Sequence, residues 1–242
     1  MKVVKFGGSS LANSAQVSKV VKIIQADDQR RFVIVSAPGK RFKGDIKVTD
    51  LLIQYAKATI NNTPTETITG QIIARYEEIA TAFKVPQTAF EQIKTTILDL
   101  PQQDYQDDGY LMAAFKAHGE KLNAMLFAEV LKTAGVNAKY LDPKDVGLKL
   151  TDSPNDAEII PSSYEQISQW ANSKLVRVIP GFFGYNDQGQ ICTFSRGGSD
   201  ITGAIIARGV HAKRYENFTD VDAIYAADPH VIHHPIAIHN MT

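Results

Sequence analysis

The chain has 242 residues, 44% hydrophobic and 21% charged, enough for one large α/β domain or two small ones with a proper core. Lysine plus arginine equals aspartate plus glutamate at 26 each, so the formal net charge is zero, which argues against broad nucleic-acid binding while leaving room for a local basic cleft. The single cysteine, Cys192, rules out an internal disulfide, and no signal peptide or bilayer-length apolar run is present, so a cytoplasmic protein without membrane partners is expected.

Val3 to Phe6 reads as a strand, followed by Gly7-Gly8-Ser9-Ser10 and a helical pattern over Ala15 to Gln25 with Val17, Val20, Val21 and Ile24 on one face. Glycines allow a tight turn and close approach of a ligand, and a helix N-terminus offers free amide donors and partial positive charge. With Lys5 beside it, the segment suits a phosphoryl group; a plain turn beside a solvated lysine is the alternative. Gly39 and Gly44 have the outer spacing of a Walker loop, but Asp45 stands where its lysine belongs, and no GxGxxG opens a βαβ unit.

Arg31 to Ser36 is apolar almost throughout, as a buried parallel strand would be, and Ala37-Pro38-Gly39 ends it. A helix follows from Thr49 through Leu51, Leu52 and Tyr55. From about 61 to 119 the pattern is helical and polar-rich, with Ile72, Ile73, Tyr76, Ile79 and Phe83 at helical spacing, which suggests a helical insertion. Leu122 to Ala134 reads as a helix, Ala138 to Leu141 and Leu175 to Ile179 as strands, and Phe182 to Thr193 as a hairpin around Asn186-Asp187-Gln188-Gly189. Cys192 falls in this hairpin as a small apolar filler, since no histidine motif accompanies it. A helix reaching Arg208 and a strand over Arg214 to Asn217 follow. Strands alternating with helices predict a mostly parallel sheet covered on both faces, a three-layer α/β/α sandwich.

Ser195 to Ala204 is a second glycine-rich turn opening a helix, with Ser199 or Asp200 as the expected N-cap. A capped helix leaves Arg196 and the glycine pair Gly197-Gly198 unexplained; Arg196 could fork onto a carboxylate or phosphate. His230, His233, His234 and His239 raise a metal site, but a solvated stretch explains them better, and no metal-ligand set is assigned.

Four segments in order carry a family resemblance: KFGGSSLA at 5–12, VSAP at 35–38 with KVTDLL at 47–52, GFFG at 181–184 with TFSRGGSDITGA at 193–204, and NFTDVDAIYAADP at 217–229. The chain resembles the aspartokinases of the amino acid kinase superfamily. The resemblance implies phosphorylation of the β-carboxylate of L-aspartate by ATP with Mg2+, a first step toward lysine, threonine and methionine. A carboxylate with a pKa of about 4 is already ionised at neutral pH, so such a reaction needs alignment and charge neutralisation rather than a general base.

By the same resemblance Lys5 and the amides of Gly7, Gly8 and Ser9 would meet the transferred phosphoryl group, with Asp200 ordering the lysine and the magnesium-phosphate cluster. Arg196, with Gly197, Gly198 and Ser199, would hold the substrate α-carboxylate, Glu120 its ammonium, and Ser36 and Thr49 would add hydroxyl hydrogen bonds. Thr219, Asp220, Tyr225 and Asp228 would contact the nucleotide, although Ala223, Ala226 and His230 depart from the usual pattern there. Family members are longer, with a further kinase segment that supplies a second basic residue and with tandem ACT domains. Residues 1–242 are therefore expected to be a truncated kinase domain that associates as a homo-oligomer. The competing expectations are another amino acid kinase, acting on glutamate or acetylglutamate, and a non-catalytic binding domain of the same fold. Arg196 and Glu120 favour a free α-amino acid.

Overall fold

The computed structural model describes residues 1–195, 197–219, 224–225, 232 and 236–238, with 224, 225, 237 and 238 given as backbone. β1 (Lys2–Phe6) runs into a 3-10 turn over Gly8–Leu11 and then α1 (Ser14–Gln25), whose N-cap is Asn13 bonded to the Gln16 amide. β2 (Arg30–Val35) leads to α2 (Val48–Ile60), α3 (Glu66–Ala82) and α4 (Gln87–Leu98). Next come α5 (Asp108–Thr133), β3 (Ala138–Tyr140), α6 (Pro143–Val146), α7 (Ser163–Ser168) and β4 (Val176–Pro180). The hairpin of β5 (Phe183–Tyr185) and β6 (Ile191–Thr193), then α8 (Gly198–Gly209) and β7 (Arg214–Phe218), follow.

The central sheet has the order β3-β4-β2-β1-β7, and every pairing in it is parallel. Strand alternation divides its side chains between two cores. Val4, Phe6, Val33, Val35 and Val178 pack with α1, α2 and α5, whereas Val3, Phe32, Ile34 and Ile179 pack with α7 and α8. The α/β/α layering is therefore the expected one. Lys5 shares the parity of Val3 and so points toward the α8 layer.

Two local expectations are corrected. The helix expected from Leu122 begins at Asp108 and runs for 26 residues, so position 119 falls inside α5. Asp107 starts it by accepting from the amides of Gly109 and Tyr110. Ile72, Tyr76 and Ile79 of α3 and Phe90, Ile93 and Ile97 of α4 join the same apolar cluster as the sheet, so these helices form an outer layer over α2 and α5. Neither Ser199 nor Asp200 caps α8: the N-cap is Gly197 at φ 74°, a left-handed conformation that glycine adopts without strain, and no side chain among the described residues caps the helix.

Candidate functional site

In a parallel sheet the C-terminal strand ends all open on one edge, where ligands bind in α/β folds. Here β1 delivers Gly7 and Gly8 to that edge, β2 delivers Ser36 to Gly39, and β7 delivers Thr219. Together with Lys40, Lys47, Thr49 and Glu120 these residues line a cleft of about 490 Å³. Two glycines make its floor possible. A Cβ on Gly39 would sit 2.6 Å from the carbonyl carbon of Gly8, and the Gly39 amide donates to the Gly8 carbonyl at 2.8 Å.

Beside this floor, buried Lys5 pairs with Asp200 in the first turn of α8, Nζ to Oδ1 at 2.9 Å. Asn217, the register neighbour of Lys5 on β7, donates to the same Oδ1 at 2.8 Å. The Lys5 ammonium lies 3.7 Å from where a Cβ of Gly7 would stand, so the cation adjoins the glycine turn. The Asp200 side chain remains 46% exposed.

The opposite wall is α5. Glu120 is buried, its Oε2 has no hydrogen-bond partner among the described residues, and burial pushes its carboxyl up to about 8, against the pull of the Ala37 and Glu120 amides and the Lys116 charge. A buried carboxylate oxygen without a donor costs free energy unless a ligand supplies one. Gly119 allows α5 to approach this closely, since a Cβ there would lie 2.8 Å from the Ala37 side chain. Asn123, one turn further, donates to the Ser36 carbonyl at 2.6 Å and sets that loop. His118 is buried with Nδ1 against the Ala114 carbonyl at 2.7 Å, and burial, with the Lys121 charge, lowers its imidazole to about 4.

Of the residues singled out from sequence, Gly7, Gly8, Ser9, Ser36, Thr49, Glu120 and Thr219 line this one cleft, and Lys5 and Asp200 stand beside it. Gly198 and Ser199 are buried instead against the end of β4: a Cβ on Gly198 would meet the Phe182 ring, and one on Gly181 the Ser199 side chain, both at 2.6 Å. Phe182 itself has φ 77°, a strained value for a bulky residue, held by its amide donating to Thr202 Oγ1 at 3.0 Å. Arg196, Asp220 and Asp228, the substitutions at Ala223, Ala226 and His230, and the remaining histidines of the C-terminal stretch lie outside the described residues, as does the Tyr225 side chain. Cys192 is buried, and its surroundings push the thiol up to about 11, which fits a filler. Sequence reasoning missed Lys40, Lys47, Asn123 and Asn217, all of which sit within or beside motifs already noticed but carry no spacing signal of their own.

These features define a parallel α/β protein covered on both faces, with an anion-receptive glycine turn and a buried acid at the C-terminal sheet edge. The amino acid kinase family pattern matches residues 1–242, and the chain belongs to that family. It is 42% identical over 242 residues to aspartokinase 3 of Bacillus subtilis (strain 168), covering 100% of this chain and 53% of that protein. With the lysine-sensitive aspartokinase 3 of Escherichia coli (strain K12) the identity is 27%, over 95% of this chain and 51% of that one. The crystal structure of Clostridium acetobutylicum aspartate kinase superposes with a TM-score of 0.80 at 36% identity, over 97% of this chain and 51% of the other. That of E. coli aspartokinase III in complex with aspartate and ADP gives 0.73 at 25% identity, over 98% and 53%. The chain thus spans about half the length of these relatives.

Proposed function

We propose that residues 1–242 form the catalytic domain of an aspartate kinase, which transfers the γ-phosphoryl group of ATP to the β-carboxylate of L-aspartate in the cytoplasm, within a homo-oligomer. The observation that carries this reading is the pairing across one cleft of the Lys5–Asp200 couple with the half-satisfied carboxylate of Glu120. The first suits a phosphoryl group; the second asks for a cation such as a substrate ammonium. The relatives named above as aspartokinases supply the same direction.

An oxygen of the already ionised β-carboxylate forms the new bond to phosphorus as the bond to the β–γ bridging oxygen breaks, and ADP leaves with that electron pair. Lys5 and the amides of Gly7, Gly8 and Ser9 neutralise the charge gathered on the moving phosphoryl oxygens. Glu120 takes the ammonium, Ser36 and Thr49 hydrogen-bond the substrate, and Arg196 takes the α-carboxylate. Thr219, Asp220, Tyr225 and Asp228 are assigned to the nucleotide. Both side-chain contacts of Asp200 among the described residues go to Oδ1, so its exposed carboxylate fits a magnesium ion, which would neutralise phosphate charge when bound.

Hydroxamate trapping of acyl phosphate with MgATP and aspartate, glutamate or acetylglutamate tests the reading. Product with aspartate alone supports it, and product with glutamate alone sinks it. Aspartate-dependent thermal stabilisation without product would instead identify a binding domain of the same fold.

A further inference from the structure

α3 lies two layers from the sheet, yet three of its polar side chains reach segments that shape the cleft. Glu78 accepts from the amide and hydroxyl of Ser14, at the start of α1. Tyr76, fully buried, donates to the Gly119 carbonyl at 3.0 Å, directly before Glu120. Arg75 is 3% exposed and spends Nη1 and Nη2 of its guanidinium on a single loop, while its buried Nε has no partner among the described residues. It donates to the carbonyls of Gly39 and of Ile46, the latter at 2.9 Å, and pairs with Asp45 at 3.1 Å. Arg41 closes the same loop onto Asp45 at 2.9 Å. Lys40 and Lys47 stand at the two ends of the segment so held; both line the cleft, and neither has an ion-pair partner among the described residues.

We propose that Arg75 is a positioning residue that latches the 39–47 loop, so that Lys40 and Lys47 form a cationic wall for the nucleotide phosphates across from the Gly7–Ser9 turn. The proposal rests on the kinase reading above. The guanidinium fork matters because two separate nitrogens share two carbonyls and a carboxylate, whereas a lysine ammonium must gather all its acceptors around one atom. Backbone bonds pin the ends of the segment, Gly39 to Gly8 and Val48 to Pro38. The turn between them, which contains the open left-handed Gly44, has among the described residues only the Asp45 to Phe42 amide bond of its own and takes its remaining hold from Arg75 and Arg41.

The test is a double-mutant cycle in the intact protein. Lys40→Gln with Lys47→Gln, at exposed positions, raises the KM for MgATP about fivefold to twentyfold, by more than kcat falls, and flattens its salt dependence. Arg75→Lys raises the same KM with a thermal midpoint within a few degrees of wild type. Combining all three adds nothing further, because the latch acts through the two lysines. Full additivity, or an unchanged KM in either variant, overturns the proposal. Should Arg75→Lys fail to fold, the lysine pair alone decides: an unchanged KM overturns it. If wild type makes no acyl phosphate, the kinase reading fails separately. Pyrophosphate binding by calorimetry then reads the wall directly: a fivefold or greater loss in the lysine variant supports it, and equal affinity overturns it.

Discussion

Glu120 shows how one buried group ties stability, pH and ligand binding together. Burial raises its carboxyl from an ordinary 4.5 to about 8, so the folded protein holds a proton there that the unfolded chain releases. Stability contributed by this group is therefore present at low pH and declines as pH rises from about 4.5 to about 8. Glu120→Gln removes that decline, which urea unfolding at a series of pH values from 5 to 8 will display as a flatter profile. Binding an ammonium needs the ionised form, so aspartate affinity should tighten as pH rises toward 8 and protons should be released on binding, both readable by calorimetry. Affinity independent of pH would remove Glu120 from the ammonium role. Asp200 belongs to the same scale but behaves differently, because its side chain is half exposed. Asp200→Asn is expected to change stability by less than about 1 kcal/mol yet to lower kcat by roughly a hundredfold or more, since water screens a ground-state pair more than it does charge developing in a transition state. Parallel denaturation and acyl-phosphate assays separate the two effects.

At the level of elements, the cleft exists because glycine backbones cross where side chains would collide. Gly39→Ala places a Cβ 2.6 Å from the Gly8 carbonyl carbon, with backbone on both sides and no flexible side chain to yield. A loss of about 1–3 kcal/mol in unfolding free energy is expected, together with weaker nucleotide binding as the two turns move apart. Equal stability of the alanine variant would show that the loops are not held at this distance. α5 contributes at the same scale. Its 26 residues bury side chains on nearly every face, and it carries Glu120 and Asn123 on successive turns, so one rigid element sets both a site carboxylate and the Ser36 carbonyl. This is why its start at Asp108 was hard to read: a helix buried all round has little of the one-sided pattern that marks a surface helix. The strands, by contrast, were legible within a residue or so, because uninterrupted apolar runs such as Phe32 to Val35 have few other places to go.

Over the whole molecule, the opposite end of the sheet is joined by charge. Glu216 on β7 accepts from Lys2 on β1 at 3.0 Å and from Arg30 on β2 at 2.7 Å, linking three parallel strands. Burial pushes the Glu216 carboxyl up, but the hydrogen bonds and charges of Arg30 and Lys2 outweigh it and hold the group below its usual range. A depressed carboxylate contributes stability above its unfolded pKa and loses it as pH falls through the folded value. Glu216→Gln should thus cost about 1–3 kcal/mol at pH 7 and progressively less as the pH falls below the ordinary 4.5 of a glutamate, measured by chemical unfolding over a descending pH series. Composition, strand runs and glycine-rich turns by themselves determined the layered parallel fold and marked Lys5, Gly7 and Gly8 as candidates for meeting a phosphoryl group. Local pattern suffices there, because burying apolar strands and freeing a turn are demands that neighbouring residues express. Only the tertiary structure decided that Ser199 packs away from the cleft against Gly181, that Glu120 stands half-satisfied in it, and that Arg75 reaches the 39–47 loop from the outer helical layer. Such roles depend on distance across the fold, which spacing along the chain does not encode.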